Sequence, residues 1–218
     1  MKSAVLIISG AFTILSIFLS AISLQLVNAQ DIGNVIASNS TQTLPKVNEA
    51  KTDLLHNGFF ISINKTSGLP LYWVDSFSSC VTTFTCNIIN TDGWVDNQSF
   101  QLATQNNTNN TWSWISSEEV NVKPKEQYEV LAHMKLNKWA TQSHILLEGY
   151  NEKSKQWKQI EQCPSGTTGP LGWKEFDCKI TIPENTLAIV VTLNAGWSSN
   201  VNAKAETLFD AIHLYRIT

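Results

Sequence analysis

The chain has 218 residues, a formal charge of −3 and 43% hydrophobic side chains, which suits one domain with a sizeable core. Its fifteen basic residues are scattered, Arg216 is the single arginine, and no patch gathers the charge that neutralising phosphates requires, so nucleic acid is excluded as a partner. No C-x-x-C spacing occurs, which speaks against a zinc or redox site.

The first element is apolar. No charge appears between Lys2 and Asp31, and Val27 and Ala29 occupy the small-residue positions of a cleavage site. This predicts a secretory signal over residues 1–29. The run is also long enough to cross a bilayer, so an uncleaved signal-anchor stays open as the one route to a membrane. Either way the remainder is exported, secreted or held at the cell surface. Residues 30–52 are small and polar without a sustained period, and read as a linker.

Four cysteines in an exported chain predict disulfides. Three pairings are open from sequence. The local one, Cys80–Cys86 with Cys163–Cys178, is expected because each pair brackets one short stretch. Five N-x-S/T acceptors, Asn39, Asn64, Asn97, Asn106 and Asn109, predict a solvated surface able to carry glycan.

From residue 53 the apolar residues alternate. "QYEVLAHMKL" puts Tyr128, Val130, Ala132 and Met134 on one face, with Glu129, Leu131, His133 and Lys135 on the other. "QSHILLEGY" does the same for Ser143, Ile145 and Leu147 against His144, Leu146 and Glu148. "TLAIVVTL" reads as a strand buried on both faces, and "LFDAIHLYRI" alternates to the C-terminus. Turn-rich segments such as "VKPKEQ", "CPSGTTGPLG" and "NAGWSSN" separate these runs. The class predicted for residues 53–218 is all-β, a β-sandwich or jelly roll, behind the signal helix and linker.

The order of segments resembles the β-jelly-roll carbohydrate-binding modules of the galactose-binding-domain-like superfamily. "LLHNGFF" is similar to their opening motif, "VNVKPKEQYEV" to a proline-glycine turn, "GWKEFDCKITIP" to a late strand and "FDAIHLYRI" to the closing strand. The resemblance spans Leu54–Thr218. It implies a structural calcium near the chain ends, but the acidic position of the opening motif is Ile61 here, which leaves Asp210 short of partner ligands. No other cofactor is implied. The glycine of the turn is replaced by Lys125, which a type I turn accepts.

The resemblance also implies glycan recognition, in which flat aromatic rings meet the apolar faces of sugar rings and polar side chains bond the hydroxyls. Eight tryptophans exceed what one core needs. Trp73 and Trp114 are expected inside. Trp157 is expected to pin a hairpin and Trp173 to pack beside a disulfide. Trp94, Trp139 and Trp197 lie in turn segments and are expected in water, with Trp112 undecided. If their strands share a sheet, His133, His144, Glu148 and Asn194 line its outer face, with Trp139 and Trp197 at the rim. That constellation, with Trp94 and Trp112, is the candidate glycan site; a plain solvated sheet face is the alternative. A structural or adhesion domain with a protein partner is the second reading. An enzyme is the third and is disfavoured: the adjacent Glu118 and Glu119 would face opposite ways on a strand, and no paired catalytic carboxylates or G-x-S-x-G stand out.

Overall fold

The computed structural model describes residues 51–75, 80, 84–104 and 113–217. The expected signal, most of the linker, Trp112 and the acceptors Asn39, Asn106 and Asn109 lie outside the described residues. The described residues fall within one compact unit, Asn48–Thr218.

Eleven strands make up the described fold: β1 (Trp73–Val74), β2 (Phe84–Ile89), β3 (Ser99–Thr104), β4 (Ser113–Ser117), β5 (Val120–Asn121), β6 (Gln127–Leu136), β7 (Ser143–Asn151), β8 (Gln156–Thr167), β9 (Leu171–Thr181), β10 (Thr186–Ala195) and β11 (Glu206–Arg216). They form two antiparallel sheets. One has the order β1-β4-β10-β7-β8, with β5 also paired to β10; the other has the order β2-β3-β11-β6-β9. The β-sandwich expected from the alternation is present. Tyr128, Val130, Ala132 and Met134 enter the core from one sheet, and Ile145, Leu147, Ile189, Val191 and Leu193 from the other. Strand β10 is buried almost throughout, because Val190, Thr192 and Asn194 on its outer side are also withdrawn from water.

Two departures from simple alternation have local causes. The closing strand β11 carries a bulge between Asp210 and His213, where Ala211 has φ 47°. The opening motif packs onto that bulge: Ile212 N donates to Gly58 O at 3.0 Å, and a Cβ on Gly58 would sit 1.9 Å from Ile212 O. Only glycine fits there. The second departure is the proline turn. Glu126 N donates to Lys123 O at 3.3 Å, and Lys125 has φ 69°. That is the left-handed position of a type II turn, not the type I turn expected, and it explains why a glycine suits it.

Both local disulfides are present. The second one does more than close a loop. Cys163 lies on β8, an edge of one sheet, and Cys178 on β9, an edge of the other, so the bond stitches the two layers along one side.

Candidate functional site

Cross-strand partners share a face, and this builds the site row by row on the outer side of the six-stranded sheet. Val74, Ser116, Thr192, Leu146 and Gln162 form one row across five strands. Trp114, Asn194 and His144 form the row on one side of it. Val190, Glu148 and Gln159 form the row on the other side, followed by Ala188, Tyr150 and Trp157. A register shift in β8 opposite Leu147–Glu148 keeps Gln159 and Trp157 on this outer face. Gly149 makes room for it: a Cβ there would meet Ile160 Cδ1 at 2.5 Å.

A cleft of about 390 Å³ opens on this face, lined by Val74, Ser116, Ser117, Glu118, Glu119, Glu148, Trp157 and Val190. Trp157 is 38% exposed and sets its ring at 5.6 Å and 56° to Tyr150. Val74 is half exposed, so an indole and an isopropyl group offer the cleft its apolar surface. The polar groups are pre-positioned. Thr192 Oγ1 donates to Glu148 Oε2 at 3.0 Å and lies 2.9 Å from Ser116 Oγ. Glu118 pairs with His56 Nδ1. Glu118 and Glu119 were expected to face opposite ways on a strand, but neither lies on one. They occupy the break between β4 and β5, and both line the cleft.

The neighbouring row is drier. Asn194 is 1% exposed and its Oδ1 has no hydrogen-bond partner among the described residues. His144 is buried beside it, and its Nδ1 lies 2.9 Å from Gln142 O. Burial pushes the His144 imidazole below its ordinary pKa, only partly offset by that carbonyl, so the ring is neutral at pH 7 and Nδ1 carries the donated proton.

The expected constellation is therefore split. His144, Glu148 and Asn194 share the outer face, as read from their parity. His133 does not, because β6 belongs to the other sheet. Trp94 also lies on that second sheet, stacked on His133 with ring centroids 4.6 Å apart. Trp139 and Trp197 are half-buried rather than wet. Their segments are tied by Thr141 N to Trp197 O and Ser199 N to Trp139 O, beyond the His144–Asn194 end of the face. Trp114, expected inside, points outward, because Ser113, Ile115 and Ser117 take the core side of β4. Trp157 and the two glutamates after β4 were not singled out as ligand contacts. The hairpin position of Trp157, facing outward beside Tyr150, is the signal that marks it. Trp73 is in the core. Asn64 and Asn97 are exposed.

Asp210 is wholly buried, and backbone N–H groups hold both of its oxygens: Trp94 and Val95 at Oδ2 (2.7 and 3.2 Å), Ala211 at Oδ1 (2.7 Å). Those three donors leave the carboxylate about one free lone pair to offer a hard cation. Among the described residues no group of three or more His, Cys, Asp or Glu side chains could hold a metal.

No family model and no curated protein matches the sequence. The fold matches solved structures. The CBM22-1 xylan-binding domain from Paenibacillus barcinonensis Xyn10C aligns over 78% of this chain and 97% of its own, at TM-score 0.53 and 14% identity. An arabinose-bound α-L-arabinofuranosidase, MgGH51, aligns over 75% of this chain at TM-score 0.53 and 14% identity. The enzymatically active domain of tailspike protein 4 from bacteriophage CBA120 aligns over 76% at TM-score 0.51 and 13% identity. This chain spans only 26% and 21% of those two longer chains. What is shared at such identities is architecture: the protein has a β-jelly-roll sandwich fold like that of the CBM22-1 domain.

Proposed function

We propose that this is an exported, non-catalytic module that binds a glycan along the outer face of its six-stranded sheet. The observation that carries the reading is the cleft, with Trp157 and Val74 as apolar surface beside Glu148, Glu118 and Ser116 as hydroxyl partners, Glu148 being held in place by the buried Thr192. A sugar ring has the same two-sided chemistry, C–H faces and a rim of hydroxyls. A sheet face presents these groups on rigid strands, so little ordering entropy opposes binding. The two disulfides support an extracellular setting. The likeness to a xylan-binding domain makes xylan the first ligand to try.

The test is a titration of soluble xylan, galactan, β-glucan and chitin oligomers, read by tryptophan fluorescence. Binding by one or more, weakened at least tenfold in Glu148→Gln with no sugar turned over, supports the reading. No response to any of them, or release of reducing ends, contradicts it.

A further inference from the structure

The outer face of the second sheet carries a separate aromatic platform, and we infer that it is a second glycan-binding site, placed so that one domain can bridge two polysaccharide chains. It relies on the same stacking chemistry as the cleft but on none of the same residues.

The loop between β2 and β3 brings Trp94 across β6. Its indole lies on His133 at 4.6 Å and 17°, nearly parallel, and remains 48% exposed, with Val95 beside it at 63%. One ring face is backed and the other is open to water. The backbone of the loop is fixed from below, because the buried Asp210 carboxylate receives both Trp94 N and Val95 N. This clasp is costly. Burial raises the pKa of Asp210, and the three backbone donors return only part of that.

His133 is the second sign. It is 5% exposed; Nε2 faces Glu175 Oε2 at 3.3 Å, and Nδ1 has no hydrogen-bond partner among the described residues. A buried unpaired ring nitrogen costs about 1–3 kcal/mol. Here the imidazole is sealed to hold the indole flat and outward. Polar groups flank the platform at fixed positions. Asp92, in the same loop, accepts from Trp173 Nε1 at 2.8 Å and pairs with Lys135, and Glu175 stands at the other side of His133. An open flat ring with paired donors and acceptors beside it suits a neutral sugar ring, by the same logic as the cleft. Since the two sheets back onto one core, the two sites face away from each other, and a short oligosaccharide reaches only one.

Isothermal titration of the full chain with hexamers of β-1,4-linked xylose, glucose, galactose and N-acetylglucosamine tests this. For the hexamer that binds, the expected stoichiometry is two per chain, falling to one in Trp157→Ala and to one in Trp94→Leu. Long-chain polysaccharide of the same sugar should be precipitated by the parent protein and by neither variant. Trp94→Phe keeps a ring over His133 and should retain the second site, which separates lost stacking from a disturbed loop. A stoichiometry of one that disappears in Trp157→Ala and is untouched in Trp94→Leu overturns the second site and leaves the cleft standing. If no hexamer binds, both fail. If Trp94→Leu instead abolishes self-association in sedimentation, the platform is a contact between copies and the inference is wrong.

Discussion

Removing the Cys163–Cys178 bond measures how far the two layers depend on their covalent stitch. The bond closes a span of 15 residues and the Cys80–Cys86 bond one of 6. In the chain-entropy model those spans correspond to about 3 and about 2 kcal/mol of constraint on the unfolded chain. The difference in the folded state is larger than these figures suggest. Cys178 is 3% exposed inside the core cluster, whereas Cys80 and Cys86 are only partly buried at its edge. Substituting Cys163 and Cys178 together with alanine should therefore lower the unfolding free energy by at least 3 kcal/mol. With a urea slope of about 2 kcal/mol per M, the midpoint falls by roughly 1.5 M. The Cys80→Ala, Cys86→Ala pair should lose less. Urea unfolding followed by tryptophan fluorescence gives both numbers from one probe. A midpoint shift below about 0.5 M for the first pair would refute the idea that the stitch between β8 and β9 governs the layer contact.

The turn at Lys125 offers a gain. A side chain in the left-handed region costs about 1 kcal/mol, and the exposed Lys125–Glu184 ion pair returns little of it. Lys125→Gly should raise stability by up to about 1 kcal/mol in the same urea experiment; a loss would mean that the turn is not strained. Acid should weaken the fold in two stages. His144 is held neutral, so the unfolded chain protonates first as pH falls through about 6.5, and stability declines from there. The second stage comes from Asp53, Asp92 and Glu129. Burial acts to raise Asp53 and Asp92, but the bonds from His213 and backbone amides to Asp53, and from Lys135 and Trp173 to Asp92, outweigh it. The hydrogen bond from Lys51 lowers Glu129, with Lys179 adding to it. All three sit below the ordinary carboxylate range, so their stabilisation is complete above it and drains away as pH drops below about 4. Asp210, shifted upward, works against this trend. Thermal midpoints from pH 8 to pH 2 should show both declines, and His144→Gln should remove the first.

The sandwich was legible because alternation has only one physical meaning in a strand. The core side of β6, β7 and β10 followed directly from it. The disulfide pairing followed from closeness in sequence. What the sequence did not disclose was which strands neighbour one another. His133 and His144 both leave the apolar side of their strands, yet β6 and β7 enter different layers, so two residues read as one site stand on opposite surfaces. Position in a turn also misjudged exposure. Trp139 and Trp197 are drawn partly inward by the backbone bonds between their loops, while Trp157, in an ordinary hairpin strand, stays wet at an edge. Lys125 shows the converse: the glycine usual in the resembled turn signals a left-handed backbone, and the backbone is left-handed here with a lysine in place.

The cleft itself is tested most directly by the affinity of Trp157→Ala for the glycan that the parent protein binds, measured by isothermal titration under the same conditions. A tryptophan presents at most about 250 Å², and with 38% of it exposed, roughly 90 Å² is available for a sugar to cover. At about 25 cal/mol per Å² this is about 2 kcal/mol, or a roughly 30-fold rise in Kd at the cleft. A change of less than about threefold, in a variant that unfolds at the parent's urea midpoint, would place the sugar somewhere other than the outer face of the six-stranded sheet.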